Sequence, residues 1–125
     1  MLIFYKELVN SDRKLPEELY PRLMARCGDQ ATMYLTDQGC TIQVVSRESS
    51  KRAGIERVRA ALGLEKDEIA VFGDDLNDLE MIRTYPVSIA MGNGVEAVKS
   101  AAKHVTLPND EGGIAYALKH ILHIN

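Results

Sequence analysis

At 125 residues the chain is one domain or part of one. Hydrophobic residues make up 46% and charged residues 26%, which suits a soluble globular protein with a real core. A net charge of −3 gives no electrostatic reason to expect nucleic acid or an anionic membrane as a partner.

The first predicted element is a strand over Leu2–Val9. Its opening Met-Leu-Ile-Phe-Tyr run is cut by Lys6 and Glu7, too short for the core of a signal peptide. No apolar run approaches membrane-spanning length, so the cytoplasm is the expected location. Pro16, Glu17 and Glu18 open a helix with an apolar face of Leu19, Tyr20, Leu23, Met24 and Cys27, closed by Gly28. Two strands, Ala31–Thr36 and Thr41–Ser46, flank Asp37-Gln38-Gly39-Cys40, a hairpin turn. Cys27 and Cys40 form no CxxC pair and have no His company, so reduced thiols are expected. This β-α-β-β order reads as a small α+β unit over residues 1–47. A boundary follows near Arg47–Ser50.

From residue 48 onward, strands alternate with helices. Ser49 or Ser50 caps a helix spaced by Ile55, Val58 and Leu62, and Gly63 ends it. Short apolar runs follow at Ile69–Phe72, Val87–Met91 and His104–Leu107. Segments of helical spacing lie between and after them: Leu76, Leu79, Ile82; Val95, Val98, Ala102; Ile114, Ala117, Leu118, Ile121. Runs with little polar alternation suit parallel strands covered on both faces, and strict strand–helix alternation predicts a doubly wound α/β sheet.

The chemistry concentrates at residues 71–78, Val-Phe-Gly-Asp-Asp-Leu-Asn-Asp. Two carboxylates about 5 Å apart repel by roughly 3 kcal/mol at an effective dielectric near 20, so Asp74, Asp75 and Asp78 together point to a bound cation. With Asn77 they offer hard oxygen donors, which suit Mg²⁺ better than zinc or copper. In open α/β sheets ligands lie beyond the carboxyl ends of the strands, where Asp74 would be the first residue off its strand. Helix capping by Asp and Asn is the competing account, and it needs one acid rather than three. Lys51 sits at a helix start, where the dipole favours anions; alone it reads as a surface lysine. Gly92-Asn93-Gly94 is a second strand-end loop and, by itself, a tight turn. It does not match GxGxxG, which argues against a dinucleotide cofactor. His104, His120 and His123 lack metal-ligand or triad company.

With Lys51 and Gly73-Asp74-Asp75-Leu76-Asn77-Asp78 in hand, the chain resembles the haloacid dehalogenase (HAD) superfamily. Within it, the resemblance is to the Cof-type sugar-phosphate phosphatases with an α/β cap. Ser50-Lys51 with the helix to Leu62-Gly63-Leu64 is similar to the family's lysine motif, and Gly73 to Met81 to its GDxxND motif. Ala90-Met91-Gly92-Asn93-Gly94 with Val98-Lys99, and Val105-Thr106 through Asn109 to Gly113, are similar to the closing segments.

The resemblance implies a C-terminal half of a HAD-like core preceded by a partial cap. It also implies a Mg²⁺-dependent phosphatase for phosphate monoesters of small metabolites such as sugar phosphates. Asp74 would ligate Mg²⁺, with Asp78 supporting it directly or through water and Asp75 a weaker candidate. Lys51 would neutralise the transferring phosphoryl group, and Asn77 and Asn93 would serve the phosphate. The family's nucleophile lies in a DxDGT-like motif on the first core strand, and these 125 residues contain no Asp-X-Asp. Nor is there a candidate for the Ser or Thr of the family's second motif. Gln43 stands where the cap-to-core strand of these enzymes often carries Glu. The resemblance therefore implies an enzyme part that is inactive alone. The alternative is a non-catalytic binding or regulatory module, or a truncated remnant. Without the family's first strand, Ile69–Phe72 would be an open apolar edge. A homo-oligomer or a complementing N-terminal segment is expected to cover it.

Overall fold

The computed structural model describes residues 7–10 and 19–124. Contacts divide the chain into two compact units, Met1–Gly54 and Ile55–Asn125.

The first unit is an antiparallel sheet with a helix. Strands β1 (Glu7–Asn10), β2 (Ala31–Thr36) and β3 (Thr41–Ser46) lie in the order β1-β3-β2, with Met33 opposite Val44 and Leu35 opposite Ile42. The predicted hairpin turn is a 3-10 turn over Asp37–Gly39, with Asp37 at φ 52° and Gly39 at φ 90°. Helix α1 (Leu19–Cys27) lays Leu19, Tyr20 and Leu23 on a core of Met33 and Ile42, and the Tyr20 hydroxyl donates to the Met33 carbonyl at 3.0 Å. Met24 and Cys27, predicted on the same apolar face, are exposed instead. Among the described residues its apolar partners belong to a small sheet, and the helix buries only a narrow stripe against it. Cys27 and Cys40 are free thiols. Leu2 to Lys6 of the first predicted strand, and the Pro16–Glu18 helix opening, lie outside the described residues.

Helix α2 (Lys51–Leu62) runs across the division of the chain. Ser50 caps it, its Oγ accepting from the Ala53 amide at 3.2 Å, and Gly63 ends it at φ 67°. Of its predicted apolar positions Ile55 packs on the second unit's core, whereas Val58 and Leu62 are 58% and 66% exposed.

The second unit is built on a parallel sheet, β4 (Ala70–Gly73), β5 (Val87–Ala90) and β6 (His104–Val105), in the order β4-β5-β6. Among the described residues β4 pairs with β5 alone. Helices α3 (Leu79–Thr84), α4 (Glu96–Ala101) and α5 (Gly113–His120) follow the three strands in turn. Val71, Met81, Ile82, Tyr85, Ala90 and Val98 form the core. No described helix is long and apolar enough to cross a membrane.

Tyr85 is buried and donates its hydroxyl to Glu56 Oε1 at 2.8 Å, while Arg59 Nε donates to Glu56 Oε2 at 3.0 Å. The Tyr85 hydrogen bond first, and Arg59 second, hold the Glu56 carboxyl below the usual glutamate range. A carboxyl with a lowered pKa in the folded state stabilises above its unfolded pKa, and that contribution fades as pH falls through the folded value. Tyr85→Phe is therefore expected to lower stability at neutral pH and to flatten the loss on mild acidification. Urea unfolding of both proteins at the two pH values reads this directly.

Candidate functional site

The loop after β4 is built from its last residue outward. The Gly73 carbonyl accepts from the Met91 amide at 2.9 Å, continuing the parallel ladder to the end of β5. A Cβ on Gly73 would lie 2.6 Å from Asp78 Cβ and 3.1 Å from Ile82 Cγ1, so the strand must end in glycine for Asp78 to take its seat. Asp74 is the first residue off the strand, at its carboxyl end, and is exposed. Its carbonyl accepts from the Val95 amide at 2.8 Å, and a Cβ on Gly94 would lie 3.1 Å from Asp74 Cα. The loops after β4 and β5 thus meet backbone to backbone.

The other acids are spent on the turn itself. Asp75 precedes a 3-10 turn over Leu76–Asp78 and its Oδ1 accepts from the Leu76 amide at 2.7 Å. Asp78 is 1% exposed, and its Oδ2 accepts from the amides of Asp74 at 3.0 Å and Asp75 at 3.4 Å. Asp75 and Asp78 form a reciprocal capping box, each side chain accepting from the other end of the turn. Capping is therefore realised by these two, while Asp74 reaches solvent. Asn77 is half-buried within the turn.

Asn93 is exposed after β5, and its Oδ1 accepts from the Asn109 amide at 2.9 Å, tying that loop to the segment after β6. Behind it the buried Thr106 hydroxyl donates to the Gly113 carbonyl at 2.7 Å. Three strand-end loops of one parallel sheet are thus laced together. Lys51 opens α2 in the first unit and is exposed. The laces through Gly94 and Asn109 carry no sequence signal beyond turn-forming residues, since glycine and asparagine serve any tight turn.

Among the described residues no cluster of three or more His, Cys, Asp or Glu side chains is arranged to hold a metal ion. Mg²⁺ does not require one: it keeps several waters and is bound through one or two carboxylates plus substrate phosphates. Asp74, a hard oxygen donor exposed on a hydrogen-bonded backbone, fits that role.

In this parallel sheet the acidic loop lies at the carboxyl end of the first strand, the place where open α/β folds bind their ligands. The sequence profile of the haloacid dehalogenase-like hydrolases matches residues 3–118, and the chain belongs to that family. It is 41% identical over 80 residues to phosphatase YwpJ of Bacillus subtilis, a match covering 64% of this chain and 28% of YwpJ. A haloacid dehalogenase-like hydrolase structure from B. subtilis superposes with a TM-score of 0.81 at 33% identity, over 94% of this chain and 41% of the other. A HAD subclass IIB sugar phosphatase superposes with a TM-score of 0.77 at 30% identity, over 89% of this chain and 42% of the other. The chain thus spans under half the length of each of these relatives.

Proposed function

We propose that this chain supplies the charge-stabilising part of a Mg²⁺-dependent phosphatase centre for phosphate monoesters of small metabolites, sugar phosphates among them, in the cytoplasm. The observation that carries the reading is the exposed Asp74 at the carboxyl end of β4, on a backbone fixed by Asp78 and Val95. The sugar phosphatase and YwpJ similarities support the substrate class. Asp74 would be the main protein ligand to Mg²⁺, with Asp78, and more weakly Asp75, supporting it. Bound Mg²⁺ supplies positive charge to phosphoryl oxygens, the main need of phosphoryl transfer. Lys51 would neutralise the transferring group as a second cation, and Asn77 and Asn93 would orient the phosphate.

None of the 125 residues forms the Asp-X-Asp pair from which relatives of this type draw an acceptor carboxylate. The acceptor is assigned to a further segment, in this or another chain, which would also pair with the outer edge of β4. The same missing pair favours the second reading, a non-catalytic binding or regulatory module or a truncated remnant that self-associates.

Titration calorimetry tests the metal assignment. Mg²⁺ should bind the 125-residue chain, and Asp74→Asn should remove that binding while leaving the fold unchanged. A folded Asp74→Asn protein that binds Mg²⁺ as well as the parent would refute it.

A further inference from the structure

The sequence gives Asp74, Asp75 and Asp78 the same chemistry, but the structure gives them different work. Asp78 is 1% exposed, yet its carboxylate is held by neighbouring amides. A buried carboxylate is stable only when its oxygens are met by donors, and backbone amides beside it form charge-assisted hydrogen bonds. One oxygen, Oδ2, gathers the amides of both Asp74 and Asp75. These are the first two residues after the strand, where the chain leaves a regular ladder and would otherwise have amides to satisfy. Gly73 leaves the space: any side chain there would meet Asp78 Cβ at 2.6 Å.

We infer that Asp78 is a positioning residue: its buried Oδ2 holds the Asp74 and Asp75 amides and so fixes the backbone from which the Asp74 carboxylate projects. The inference rests on the reading of Asp74 as the Mg²⁺ ligand and assigns Asp78 a role other than ligation. What the role needs is an acceptor oxygen at one place, not a negative charge. An asparagine offers such an oxygen in the same position, whereas alanine offers none. A metal ligand behaves differently, since the neutral amide surrenders the charge that holds the cation.

The test compares Asp78→Asn with Asp78→Ala in the 125-residue chain, with hydrogen exchange of the Asp74 and Asp75 amides and Mg²⁺ calorimetry as readouts. In the metal-free protein the two amides should stay protected in Asp78→Asn and lose protection in Asp78→Ala. Mg²⁺ affinity should fall about 10- to 100-fold in Asp78→Ala, as for loss of groups that orient a ligand, and within about threefold in Asp78→Asn. If Asp78→Ala does not fold, Asp78→Asn decides alone, by keeping both protection and affinity or losing either. Loss of Mg²⁺ affinity in Asp78→Asn with both amides still protected would overturn the inference and make Asp78 a ligand. Unchanged protection in a folded Asp78→Ala would overturn it as well. If the parent chain binds no Mg²⁺, the reading of Asp74 fails, while amide protection still judges the positioning role.

Discussion

Gly113→Ala is expected to lower the stability of the second unit by about 3 kcal/mol, at the upper end of overpacking costs. Gly113 is the buried first residue of α5, and an added Cβ would lie 2.1 Å from the Leu107 carbonyl oxygen and 2.9 Å from Met91 Cε. The closest obstacle is backbone, which cannot rotate away as a side-chain tip could. Relief requires α5 to lift from the segment after β6, and that movement stretches the 2.7 Å bond from Thr106 to the Gly113 carbonyl. Small domains hold about 0.05–0.15 kcal/mol per residue, so such a loss removes much of the unit's margin. Denaturant midpoints of the two proteins measure it. Gly54→Ala is the control, because a Cβ there meets nothing within 4 Å, and alanine in a helix should gain about 0.5–1 kcal/mol. A Gly113→Ala protein as stable as the parent would show that α5 does not pack on Leu107 as described.

Gly73→Ala is expected to cost about 2 kcal/mol and, beyond that, to loosen the site. Its Cβ would meet Asp78 Cβ at 2.6 Å and Ile82 Cγ1 at 3.1 Å. Ile82 is 1% exposed within the core, so it has nowhere to retreat. Asp78 must give way, and moving it pulls Oδ2 from the Asp74 and Asp75 amides. Stability and metal binding should therefore fall together, and unfolding curves with parallel Mg²⁺ titration separate the two effects. A variant that loses stability but keeps full Mg²⁺ affinity would break the proposed link between the strand end and Asp74.

The parallel sheet was legible because its strands are short apolar runs bounded by turn residues, and α2 because Ser50 and Gly63 mark both its ends. Helical spacing misled at Val58 and Leu62 of α2 and at Met24 and Cys27 of α1. Spacing reports which residues share a stripe, whereas burial depends on how wide a neighbour the helix meets. The acidic run at 74–78 marked a candidate site but could not divide its labour. Whether a carboxylate caps a turn or reaches solvent is decided by the backbone path, and the sequence carries no distance. Gly73 and Gly94 read as punctuation for the same reason. Their function here is close approach, which only the packed loops reveal.

In the proposed function these 125 residues carry the charge-stabilising groups of a phosphatase centre without the carboxylate that accepts the phosphoryl group. Hydrolysis of a generic phosphate monoester such as para-nitrophenyl phosphate, measured with saturating Mg²⁺ and the purified chain alone, tests this most directly. The predicted result is no Mg²⁺-dependent turnover above buffer, despite measurable Mg²⁺ binding. Mg²⁺-dependent turnover that vanishes in Asp74→Ala would contradict it and place the acceptor within these residues.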